Sequence, residues 1–143
     1  MLFRSGFLSG EAKIEQYRRA SIFCFLSYTE GMPNAVLEAL AMGLPLLSSD
    51  VGGLRDILTD GVTGCIVRPS DEAPAGQKFD PFTVADRIHS LASNAELYAR
   101  IAGHNALYAR QRFNARDVAR RIESIYASVM DLDALAPSHH PVS

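Results

Sequence analysis

The chain has 143 residues, 48% hydrophobic and 21% charged, with a formal net charge of -2. That length allows one domain at most, burying roughly 70% of its unfolded surface in a core. The near-neutral balance argues against a nucleic-acid partner, and the longest apolar stretch, Ile22 to Leu26, is far short of the ~20 residues a membrane helix needs.

Arg4 and the neighbouring glycines break any signal-peptide pattern at the N-terminus. Leu2 to Leu8 predicts a short strand. A helix opening at Ser9 or Gly10 runs through Ala20, with Ile14 and Tyr17 on one face. Ile22-Phe23-Cys24-Phe25-Leu26 is continuously apolar, which suits a central parallel strand covered on both faces. A helix from Pro33 to Met42 follows, with proline in its first turn and Gly43 just past its end. Leu44 to Ser48 predicts a second strand with Pro45 confined to its start. The connection between these strands holds a helix, as a parallel crossover requires.

Val51-Gly52-Gly53 reads as a turn into a short helix over 54–58. A second turn, Asp60 to Gly64, delivers a third strand at Cys65-Ile66-Val67. Residues 69–81 are polar, carry Pro74 and Gly76, and predict a mobile loop. Three helices follow, over 81–93, 95–112 and 115–132, with Asn94 and Asn114 as N-caps of the last two. Residues 133–143, which include His139 and His140, read as a disordered tail.

Three or four strands with continuous apolar runs make an incomplete parallel sheet, since one edge and part of each face would lie bare. The expected fold is therefore α/β: a partial, Rossmann-like, doubly wound parallel sheet, the second half of such a domain over 1–132, followed by C-terminal helices. Cys24 and Cys65 lie in apolar runs and read as buried small hydrophobes. Arg100, Arg110, Arg112, Arg116, Arg120 and Arg121 enrich the last helices in positive charge, which reads as a solvated face in preference to an anionic-membrane contact.

Two acids in one short segment, Glu30 and Glu38, carry the chemistry. Glu38 is the only ionisable group on a helix that is otherwise apolar, so its carboxylate needs a partner or a cavity. A carboxylate only accepts hydrogen bonds, and the vicinal hydroxyls of a ribose are good donors for it. The same helix begins at Asn34, Ala35 and Val36, whose free N–H groups and helix dipole suit a diphosphate. Gly31 permits a ligand close to the backbone, and Glu30 would meet a group beyond the phosphates, such as a sugar. Against this stand plainer roles: Glu38 paired with Arg55 or another arginine, and Glu30 capping a turn. Gly52-Gly53 serves equally as a cleft border or as a simple turn.

The run Ser27-Tyr28-Thr29-Glu30-Gly31-Met32-Pro33-Asn34-Ala35-Val36-Leu37-Glu38, continuing to Gly43-Leu44-Pro45, resembles the signature of retaining GT-B glycosyltransferases of the family 4 type. Val51 to Leu58 and Asp60 to Val67 resemble the segments that follow it in that family, and the likeness extends from about residue 3 to residue 130. The resemblance implies transfer of a hexose from a nucleoside-diphosphate sugar to an acceptor hydroxyl, such as that of a glycan or lipid-linked sugar, without a metal. It assigns Glu30 to the donor sugar, as the catalytic candidate. Gly31, Met32, Pro33, Asn34, Ala35 and Val36 fall near the sugar and diphosphate, and Glu38 falls on the ribose. It also implies a missing N-terminal GT-B domain carrying most of the acceptor site and a basic pair, so that this part alone is expected to be inactive. A cytoplasmic location follows, with a peripheral seat at the inner membrane face as its variant. The alternatives are a non-catalytic nucleotide-sugar binding module and, less well matched by the Glu30-to-Glu38 segment, a sugar-nucleotide epimerase of the same shape.

Overall fold

A computed structural model of the chain describes residues 8–71, 73, 76 and 78–135. It divides into two compact units, Met1–Gln111 and Arg112–Ser143, where the sequence led us to expect one domain through residue 132. The first unit holds helix α1 (Gly10–Arg19), strand β1 (Phe23–Phe25), α2 (Asn34–Ala41), β2 (Leu46–Ser49), a 3-10 turn (Gly52–Asp56), β3 (Gly64–Val67), α3 (Pro81–Ser93) and nearly all of α4 (Ala95–Arg112). The strand expected over Leu2 to Leu8 lies outside the described residues, save Leu8, which joins no element.

The sheet is parallel throughout, in the order β1-β2-β3. Cys24 stands opposite Leu47, and Leu47 opposite Cys65. These three share a face, because side chains alternate along a strand. Leu47, Cys65 and Val67 join Phe79 from the loop, Leu91 from α3 and Ile101 from α4 in one buried cluster. Each fully buried leucine or isoleucine in it contributes about 1.5–3 kcal/mol. α2 packs against β1 and β2 through its buried Val36, Ala39 and Leu40.

Two expectations need correction. The central strand is β2, whose four residues are all buried, whereas β1 pairs only with β2 among the described residues. The apolar run marks a strand but neither its place in the sheet nor the cover of its faces: in β1 Phe23 and Phe25 are half-buried. Cys24 is exposed, against expectation, while Cys65 is buried as expected. In addition, Gly52 and Gly53 do not precede the short helix; they are its first residues.

Local chemistry explains the helix boundaries. Gly43, at φ +74, ends α2 in the left-handed region that glycine tolerates. Asp80 caps α3 by accepting from the N–H groups of Phe82 (3.3 Å) and Thr83 (2.8 Å), ahead of Pro81 in the first turn. Asn94 caps α4 through the Leu97 N–H at 2.9 Å.

Asn105 of α4 is fully buried, and its Nδ2 donates to the carbonyls of Leu44 (2.8 Å) and Thr63 (2.9 Å). One side chain thereby satisfies the chain entering β2 and the chain entering β3. Asn105→Leu removes one donor from each carbonyl, leaving Thr63 with only the Leu46 N–H at 3.2 Å, and is expected to cost about 1–3 kcal/mol. Urea unfolding followed by circular dichroism checks this; a loss below about 0.5 kcal/mol would show that the bridge contributes little.

The second unit carries α5 (Ala115–Leu135), which continues three residues past the expected end at 132. Asn114 caps it as expected, accepting from the Arg116 N–H at 3.0 Å. Arg116, Arg120 and Arg121 are exposed, as a solvated face requires. Residues 136–143 of the expected tail lie outside the described residues. No helix among the described residues is long and apolar enough to cross a membrane.

Candidate functional site

The two acids lie beyond the carboxyl end of β1, Glu30 on the connecting loop and Glu38 on α2. Ligands of open α/β sheets bind at this end of the strands. Around Glu30, Ser27 Oγ donates to Oε1 at 2.7 Å. Ser27 is itself tied to fully buried Ser49, the last residue of β2. Its N–H donates to Ser49 Oγ (3.0 Å), and that hydroxyl donates back to the Ser27 carbonyl (2.7 Å).

The glycine pair packs directly on the same loop. Gly53 N–H donates to the Gly31 carbonyl at 3.0 Å. A Cβ on Gly53 would stand 2.7 Å from that oxygen, and one on Gly52 would overlap the Glu30 carbonyl outright. Gly52-Gly53 thus packs against the backbone of the acid-bearing loop.

Around Glu38, α1 supplies the partners. Lys13 Nζ lies 2.6 Å from Oε1, and the Tyr17 hydroxyl donates to Oε2 at 2.9 Å. The Lys13 hydrogen bond holds the Glu38 carboxyl below the usual range against an opposing desolvation, with help from Tyr17. Burial, then the hydrogen bond to Glu38, pushes the Tyr17 hydroxyl up to about 12. Arg55, the partner suggested by the sequence, instead reaches Asp50, which it shares with Arg68 at 3.4 and 3.3 Å. Glu38, Lys13 and Tyr17 line a cavity of about 420 Å³ whose remaining wall is Gly10, Ile14, Ala41 and Met42.

At the α2 N-terminus the expectation of three free N–H groups is reduced to two. Val36 N–H is bonded to the Pro33 carbonyl at 3.0 Å, and Asn34 and Ala35 have no such acceptor among the described residues. Gly31, Met32 and Asn34 are exposed, Glu30, Pro33 and Ala35 are half-buried, and Val36 is part of the core. Val36 therefore offers a ligand neither its amide nor its side chain.

Sequence reasoning missed Lys13, Ser27 and Ser49, and took Tyr17 for a packing residue. A signal for two of these existed: Lys13 and Tyr17 are four apart on a helix and so share a face. Among the described residues no group of histidine, cysteine or acidic side chains could hold a metal ion.

The family model described as "Glycosyl transferases group 1" matches residues 3–94. A D-inositol 3-phosphate glycosyltransferase of Kribbella flavida is 49% identical over 78 residues, covering 54% of this chain and 16% of that protein. The chain spans less than a third of the length of the curated relatives it matches. Among solved structures, Anabaena HepE in complex with UDP-glucose aligns at TM-score 0.66 and 20% identity, covering 80% of this chain and 29% of that one. The C-terminal domain of the group 1 glycosyl transferase LpcC from Francisella tularensis aligns at TM-score 0.63 and 24% identity, covering 77% and 52%. The fold is that of a GT-B glycosyltransferase domain.

Proposed function

The chain belongs to the glycosyl transferases group 1 family, and from that premise we propose that it is the donor-binding part of a retaining, family 4 type hexosyltransferase. Its donor is a nucleoside-diphosphate sugar, and its acceptor is a hydroxyl of a glycan or lipid-linked sugar. The observation that carries this reading is the Glu38 carboxylate, fixed at a cavity wall about one turn beyond the free N–H groups of Asn34 and Ala35. Ribose on the carboxylate and diphosphate on the amides fit that spacing along one helix. HepE, a neighbour in fold, was crystallised with UDP-glucose and with UDP.

In this reading Glu30, oriented by Ser27, meets hydroxyls of the donor sugar, and Gly31 to Pro33 border it. Backbone N–H groups and cations stabilise the departing diphosphate, with no metal called upon. An N-terminal GT-B domain is the partner that supplies most of the acceptor site, and this part alone is inactive.

Glu38→Gln is expected to weaken nucleoside-diphosphate binding by about 1.5–3 kcal/mol, because hydrogen bonds to a charged acceptor are lost. Calorimetry with UDP-, GDP- and ADP-sugars on the protein at its full natural length measures this. An unchanged affinity would remove Glu38 from the donor site.

A further inference from the structure

We infer that Lys13 and Tyr17 are positioning residues for the donor's ribose, fixing the Glu38 carboxylate so that each of its oxygens keeps an acceptor position for one of the two vicinal hydroxyls. The inference rests on the reading of Glu38 as the ribose contact. An ionised carboxylate offers about four lone-pair positions over its two oxygens. Lys13 engages Oε1 and Tyr17 engages Oε2, at 2.6 and 2.9 Å. Each oxygen is therefore occupied once and retains a second position, and a vicinal diol has two O–H groups to donate. With one of the two holds removed, the carboxylate can rotate and present that pair of positions less often.

The holds are themselves fixed. The Tyr17 ring packs 5.8 Å from the Phe23 ring of β1, and its hydroxyl also lies 3.3 Å from the Ala35 carbonyl. Its single proton goes to the nearer, charged oxygen of Glu38, so the α1–α2 geometry sets the direction of the bond. Lys13 and Glu38 are 40% and 37% exposed, and ion pairs that open to solvent add little to folding stability. Orientation of the carboxylate is the use the pair is suited to. The helix that supplies both residues buries none of its own, and Lys13, Ile14 and Tyr17 are its side chains at the cavity.

The test measures calorimetric affinity for UDP, GDP and ADP, then for the 2′,3′-dideoxy counterpart of the tightest binder, on the protein at full natural length. Wild type should prefer the ribonucleotide by about tenfold or more. Lys13→Met and Tyr17→Phe should each reduce that preference to within about threefold, and Lys13→Arg should keep it. If both variants keep the wild-type preference while Glu38→Ala loses it, the positioning role is overturned and the ribose contact stands. Equal weakening of both nucleotides in the two variants would mean a merely structural role, and also overturns it. A wild type without preference, or a Glu38→Ala variant that retains it, sinks the ribose contact itself.

Discussion

Gly52→Ala is expected to destabilise the first unit by about 2–5 kcal/mol and to abolish donor binding, through two separable effects. Gly52 sits at φ +52, where any residue with a Cβ is strained by about 1–2 kcal/mol. Its new methyl would also overlap the Glu30 carbonyl, a backbone atom that cannot rotate aside. The loop carrying Glu30 and Gly31 must then move, and overpacking of this kind costs about 1–3 kcal/mol more. Gly61→Ala is the control: φ is +74 there, yet nothing lies within 4 Å of the added Cβ. Only the strain term applies, and the Glu30 loop stays in place. Thermal unfolding and nucleotide-sugar titration of both variants separate the effects. Equal losses at the two positions would show that contact with the Glu30 loop is unimportant.

Glu30→Gln is expected to lower sugar transfer on the order of a hundredfold while leaving nucleoside-diphosphate affinity within about threefold. The proposed role concerns the sugar, so the loss belongs in the catalytic step. Glutamine keeps the size of the side chain and can still accept the Ser27 hydroxyl bond, so the loop fold should persist. What disappears is the full negative charge facing the sugar as positive charge develops there. A parallel fall in nucleotide affinity and transfer would count against this role. The two carboxylates therefore predict opposite kinetic signatures, binding for Glu38 and turnover for Glu30.

Much of the fold was legible because its signals are local. α2 announces itself by Pro33 and Gly43: Gly43 lies just past its end as the sequence implies, while Pro33, read into the first turn, is the capping residue just before it. The Asn94 and Asn114 caps were equally readable, since a cap bonds to backbone two or three residues away. That β1 pairs only with β2 among the described residues was not readable, because a continuous apolar run is silent about neighbours. The partners of Glu38 escaped for a related reason. Lys13 and Tyr17 lie 25 and 21 residues upstream, and their spacing marks a shared face of α1 without naming α2 as the element it meets. The closeness of Gly52 to Glu30 is likewise set by the ends of two parallel strands, which bring together positions 22 residues apart. Pairs of glycines are common in turns, so only the contact distinguishes this one.

The absence of buried residues in α1 has a thermodynamic consequence. A helix seated in a core opens only when much of the molecule opens, whereas one held by exposed polar contacts opens at lower cost. The seating of Gly10–Arg19 therefore rests largely on Tyr17 against Phe23 and on the bonds that end at Glu38. If a ligand binds only when those bonds are formed, its free energy is added to the cost of lifting the helix away. In the proposed enzyme, donor arrival and the docking of α1 then become one equilibrium viewed from two sides.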